Sequence, residues 1–84
     1  MKYKVIVRVV LKPSVLDPQG AAIERALTAM GNKGIDSVRV GKIIEIVLEG
    51  PDEKTVFDKV NIWSDELLAN PNMETYSLIV EPIA

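Results

Sequence analysis

Residues 2–12, KYKVIVRVVLK, alternate with a period of two. Tyr3, Val5, Val7, Val9 and Leu11 fall on one face. Lys4, Ile6, Arg8, Val10 and Lys12 fall on the other. This pattern marks a β-strand with one wholly apolar face, which a second layer of structure has to cover.

Helical spacing supplies the second layer. Residues 17–30 place Ile23, Ala26, Leu27 and Met30 on one stripe, with Gly31 as the stop. Asp17 suits the N-cap and Pro18 the first helical position. Residues 52–69 place Val56, Val60, Trp63 and Leu67 on a second stripe, ended by Asn70 and Pro71. Residues 74–81, ETYSLIVE, give a last strand with Tyr76, Leu78 and Val80 on one face.

Between the helices lies DSVRVGKIIEIVLE, residues 36–49, β-rich with a break at Gly41-Lys42. A turn over Gly41, Lys42 and Ile43 pairs Val40 with Ile44 and Val38 with Ile46, and sets Arg39 opposite Glu45. The alternative is that residues 36–49 form one long bent strand. The order βαββαβ predicts an α+β, ferredoxin-like fold, an antiparallel sheet with two helices on one face. At 84 residues the chain is read as a single domain, residues 1–84. The other sheet face then exposes Ile6, Val10, Ile43, Val47 and Ile79 among polar residues, and a mixed patch of this kind predicts self-association.

Composition excludes several chemistries. The chain has no Cys and no His, so a Cys/His metal site, a thiol nucleophile and an imidazole base are ruled out. Residues 1–50 carry eight basic and five acidic side chains, whereas residues 51–84 carry two and seven. An asymmetry of this kind can steer partners or orient copies of the chain. The net charge of −2 and the absence of aromatics from the open sheet face argue against nucleic acid as a partner. No apolar run approaches a membrane span, and the N-terminus lacks a signal-peptide pattern, so a cytoplasmic location is expected. A phosphate loop fails on spacing: six residues separate Gly34 from Gly41-Lys42, and Ile43 follows in place of a hydroxyl residue.

Gly20 stands out because glycine in the first turn of a helix costs about 1 kcal/mol relative to alanine. A missing Cβ there lets another backbone approach closely, and the expected approach is by a second copy or a partner chain.

Three stretches, LKPSVLDPQGAAIERAL (11–27), VRVGKIIEI (38–46) and ELLANPNMETY (66–76), together resemble the PurS family over almost the whole chain. These are the small subunits of phosphoribosylformylglycinamidine (FGAM) synthase, an enzyme of de novo purine biosynthesis. The resemblance implies a non-catalytic part in a complex that turns formylglycinamide ribonucleotide, glutamine and ATP into formylglycinamidine ribonucleotide, glutamate, ADP and phosphate. It implies two partners, a large synthetase subunit that uses the ATP and Mg²⁺, and a glutaminase subunit. It implies that this chain bridges them, aids ammonia transfer, and assembles with itself as a dimer or tetramer. No cofactor is expected on this chain. Residues in the recognisable motifs that core packing explains poorly are the candidates for interfaces: Asp17, Gln19, Gly20, Arg39, Lys42, Asn70 and Pro71. A competing reading is a ferredoxin-like sensor of small molecules with ligand at a dimer interface, for which Gly31 and Gly34 are the candidate contacts.

Overall fold

The computed structural model describes residues 1–83. Their element order is β1 (Lys2–Leu11), α1 (Pro18–Ala29), β2 (Gly41–Glu49), α2 (Glu53–Trp63), a π-helical turn (Ser64–Leu68) and β3 (Glu74–Ile83). The sheet is three-stranded and antiparallel, ordered β2-β1-β3. The α+β class, the antiparallel sheet and the two helices are as expected.

β1 is the central strand, and its alternation sets which side chains face the core. Val5 stands between Ile46 and Val80, and Val7 between Ile44 and Leu78. Tyr3, Val5, Val7 and Val9 are buried. From above this inner face, Val56 and Val60 of α2 pack down, with Ala69 beside them. Asp52 caps α2 by accepting the Thr55 N–H at 2.7 Å. That bond satisfies one of the free donors at the helix start.

Helix α2 covers the face only in part. It packs on β3 and β1. Ile44, Ile46 and Leu48 of β2 remain half-buried. The stripe also departs from the expected one. Trp63 is 38% exposed and Leu67 is 81% exposed, while Ser64 is fully buried. Val56, Val60 and Ser64 follow one another at four-residue steps along the buried side of α2, which leaves Trp63 at its margin. Past Trp63 the helix closes as a π-helical turn, with Ala69 N–H donating to the Ser64 carbonyl at 2.9 Å, and its extra residue turns Leu68 rather than Leu67 toward the core. Ser64 meets the core without an unpaired hydroxyl, because its Oγ donates to the Val60 carbonyl at 2.8 Å.

The second difference lies between the helices. Gly41–Ile43 form the start of β2 and make no turn. Residues 32–40 have no regular structure and pair with no strand of the chain. The Val40–Ile44 and Val38–Ile46 pairs do not form, nor does a single strand over 36–49. Arg39 does not oppose Glu45; the cross-strand ion pair of Glu45 is with Lys4, at 3.5 Å. The expectation of two helices lying together on one face fails for α1 within this chain. Gly20 is its only buried residue, and its apolar residues Ile23 and Met30 are exposed.

α1 is nevertheless a well-formed helix. It ends in a Schellman motif: Gly31 N–H donates to the Thr28 carbonyl and Asn32 N–H to the Leu27 carbonyl. Gly31 adopts a φ of 96° there. With residues 32–40 returning beside it, α1 forms an arm on a molecule measuring 51 × 29 × 15 Å. The radius of gyration is 16.5 Å, against about 12 Å for a compact chain of this length.

Candidate functional site

The seven motif residues singled out from the sequence gather at one end of the sheet. β1 ends there at Leu11, opposite Glu74, and β2 begins there at Gly41, opposite Val10. The arm leaves from the same place. What joins these pieces is the carboxylate of Asp17, which is only 4% exposed. Its Oδ1 accepts the Gly20 N–H at 3.0 Å and caps α1. Its Oδ2 accepts the Val40 N–H at 2.7 Å and pins the chain just before β2. One side chain thus satisfies a helix donor and a donor 23 residues away in sequence.

Arg39 reinforces this clasp. Its Nη2 donates to the Lys12 carbonyl at 2.9 Å and the Val15 carbonyl at 3.0 Å. The β1–α1 loop and the end of the returning segment are therefore tied twice. The Gly20 N–H does most to hold the Asp17 carboxyl below the usual carboxylate range, followed by the Val40 N–H, with the Arg39 charge adding to both.

Gly20 is explained by the same geometry. A Cβ at this position would collide with the Val38 carbonyl oxygen and would lie 2.8 Å from Asp17 Oδ2. The backbone that approaches it is the chain's own, at Val38. Val38 was legible as apolar, but a carbonyl leaves no trace in an amino-acid sequence.

Gln19 and Lys42 are exposed and line, with Pro18 and Glu74, an open cavity of about 380 Å³ beside the clasp. Asn70 organises the adjoining loop. Its carbonyl accepts the Met73 and Glu74 N–H groups, and its Oδ1 accepts the Asn72 N–H at 3.0 Å. Its own N–H donates to Glu74 Oε1 at 2.7 Å. Pro71 projects from this loop and is exposed. The Lys12 N–H donates to the Met73 carbonyl at 2.8 Å, which holds the loop against the end of β1.

Ile6, Val10, Ile43, Val47 and Ile79 share the outer face of the sheet, where Ile6 pairs with Ile79. Ile43, Val47 and Ile79 are each more than half exposed. Sequence reasoning missed Trp63 and Leu67 as surface residues. The available signal was the polar Ser64 in a four-residue spacing from Val60, with Leu68 next to Leu67 to serve either register. Gly31 and Gly34, candidates for ligand contact, take left-handed φ values of 96° and 81° with open space around them. Turn geometry is sufficient to account for both.

Among the described residues no group of three or more carboxylates could hold a metal ion, and no helix is long and apolar enough to cross a membrane.

Residues 4–82 match the family profile of PurS, phosphoribosylformylglycinamidine (FGAM) synthase. The chain is 45% identical to the phosphoribosylformylglycinamidine synthase subunit PurS of a Synechocystis species, over 88% of this chain and 74% of that one. It is 42% identical to the Bacillus subtilis subunit over 96% and 95% of the two chains. The crystal form of Thermus thermophilus PurS superposes over the full length of both chains with a TM-score of 0.87 and 35% identity. A structure of PurLQS from Thermotoga maritima contains a chain that matches with a TM-score of 0.87 and 28% identity, over 96% of this chain and 99% of that one.

Two outcomes follow from the clasp. Gly20→Ala is expected to destabilise the chain by about 1–3 kcal/mol in urea unfolding, although alanine is the better helix former. A neutral or stabilising result would contradict the Val38 contact. The depressed carboxyl pKa of Asp17 means that its contribution is complete above its unfolded value, about 3.9. That contribution is lost as the pH falls through the lower folded value. Melting temperatures recorded as the pH falls below about 4 are therefore expected to drop less steeply for Asp17→Asn than for the natural chain.

Proposed function

The chain belongs to the PurS family, and from that premise we propose how it serves the complex of which it is a subunit. FGAM synthase is a glutamine-dependent ligase complex of purine biosynthesis, and this chain is a non-catalytic subunit of it. Release of ammonia from glutamine by a thiol nucleophile needs a cysteine, and activation of an amide oxygen by ATP needs a phosphate and Mg²⁺ site. The first is missing from the sequence and the second has no motif in it. ATP and Mg²⁺ are therefore assigned to the large synthetase subunit and glutamine hydrolysis to the glutaminase subunit. Residues 1–84 act as one cytoplasmic domain that bridges the two and helps keep ammonia between them. Gln19, Lys42, Asn70 and Pro71, exposed at the clasp end of the sheet, are the proposed contacts with those partners. Asp17, Gly20 and Arg39 hold that surface in shape.

The observation that carries self-association within that complex is surface in excess. The chain exposes 5955 Å², whereas a compact monomer of 9.3 kDa exposes about 5,000 Å². The surplus is close to the roughly 800 Å² that each partner buries in an interface of standard size. A second copy of the chain fits where the surplus lies. A ferredoxin-like fold has a helix over the β2 side of the sheet and a strand at its edge. Here that side is uncovered, and the chain's own α1 and residues 32–40 are spent on the arm. Exchange of arms, residues 17–40, would complete both sheets. Trp63 supports this direction. The hydroxyl of Tyr76 on β3 donates to Asn61 Oδ1 at 2.9 Å, so the Asn61 flank of α2 faces β3. At about 100° per residue, Trp63 lies on the opposite flank, toward β2. The outer face with Ile6, Val10, Ile43, Val47 and Ile79 is then free to join two dimers into a tetramer.

Reconstitution tests the adaptor. Mixed with the synthetase and glutaminase subunits, glutamine and ADP–Mg²⁺, this chain is expected to co-elute with both in size exclusion; separate elution would sink the reading. Alone, it is expected to hydrolyse neither glutamine nor ATP. Light scattering tests the exchange. The natural chain is expected at twice its own mass or more at about micromolar concentration. Ile23→Asp, on the exposed side of α1, is expected to shift it toward the monomer and to move the emission of its single tryptophan to the red. An unchanged mass and spectrum would remove α1 from the interface.

A further inference from the structure

On the outer side of the sheet, at the end where β1 stops, lies an open cavity of about 490 Å³. Arg8 and Arg39 line it with the hydroxyl residues Ser37 and Thr75 and an apolar wall that includes Val10 and Pro13. A neighbouring depression of about 200 Å³ is again lined by Arg8 and Arg39, together with Lys42. These are two of the three arginines in a chain whose net charge is −2. No acidic residue lines either hollow. Among the described residues, the ion pairs are Lys4–Glu45 and Lys54–Asp58, so neither arginine is held by a carboxylate. Across the strands, Arg8 stands between Ile43 and Ser77, which are neutral.

The two guanidinium groups differ in how they are held. Arg39 is anchored by the bonds from its Nη2 to two backbone carbonyls. Its Nη1 and Nε donors take part in neither bond. A guanidinium ordered before a ligand arrives loses less rotamer entropy on binding it. Two such forks carry two positive charges and paired N–H donors, which match a phosphate of charge near −2 bound through its oxygens. Ser37 and Thr75 can donate to the remaining oxygens. The apolar wall leaves room for an organic group attached to the phosphate.

We propose that this cavity binds a phosphomonoester, with Arg8 and Arg39 on the phosphate. The site goes beyond the adaptor role and does not depend on it; Val10 and Ile43 at its margin belong also to the face proposed to join dimers, so the ligand and the tetramer compete for this end of the sheet. Two sources share the chemistry: a sugar phosphate, recognised by its phosphate and ribose, and a purine nucleotide, recognised by its base as well.

Calorimetric titration of the purified chain in its native assembly tests the site, in a buffer free of phosphate. The probes are inorganic phosphate, ribose 5-phosphate, AMP and, as a phosphate-free control, adenosine. Saturable binding of ribose 5-phosphate is expected, weakened about tenfold or more in Arg8→Gln. Arg8 is exposed and takes no part in the clasp, so this variant is expected to melt as the natural chain does. Arg39→Lys keeps the charge but not the fork, and is expected to bind more weakly as well. Tighter binding of AMP than of ribose 5-phosphate would identify the nucleotide as the ligand; equal binding would identify the sugar phosphate. Absence of saturation up to about 10 mM of both ribose 5-phosphate and AMP, equal affinity in Arg8→Gln, or binding of adenosine as tight as that of AMP would overturn the proposal.

Discussion

The double hydrogen bond of Asp17 is the constraint on which the rest of the molecule depends. A capping carboxylate ordinarily serves its own helix. This one also takes the N–H of Val40, so the start of α1 and the start of β2 are fastened to one another. The Val38 carbonyl lies against Gly20 as a result, and the chain between residues 17 and 40 must leave the sheet as a unit. Arg39 secures the same junction from the other side. The direction of the arm follows from these contacts, and with it the uncovered half of the sheet.

The π-helical turn is the second consequence of an unfinished layer. A continuous α-helix past Trp63 would have turned Leu67 inward in place of Leu68. The extra residue sends Leu67 outward, next to the half-exposed Trp63, while Ser64 Oγ is bonded to the Val60 carbonyl. On a self-sufficient domain that arrangement is costly, since each large side chain withdrawn from water is worth about 1.5–3 kcal/mol. It becomes favourable if another surface covers them, which is how the exposed stripe of α1, the half-covered β2 and the outward Leu67 belong to a single explanation.

Membership in the PurS family gives this incompleteness a purpose. A subunit that supplies no thiol nucleophile and no ATP-binding motif contributes surface, and this chain has more of it than its size requires. The outer face adds a separate chemical character, with aliphatic side chains along the sheet and two arginines at one end. The acidic side chains are concentrated in residues 51–84 and the basic ones in residues 1–50.

Much of this was legible in the sequence. The alternation of residues 2–12 determined a strand and its buried face, because a period of two admits only one set of inward side chains. Capping and stop residues determined both helices and nearly their ends. The absence of Cys and His excluded a thiol nucleophile and an imidazole base, and three motifs indicated the family. Tertiary structure alone decided where α1 and residues 32–40 go. The apolar pattern of Val38, Val40, Ile44 and Ile46 suits a hairpin within one chain and a strand supplied by another equally well, since side-chain periodicity records which face is buried and not whose strand buries it. The π-turn was hidden for a related reason: Leu67 and Leu68 satisfy either register, and backbone hydrogen bonding chose between them. Gly20 likewise shows in the sequence that some backbone comes close, but only the folded chain reveals that it is the carbonyl of its own Val38, brought there by Asp17.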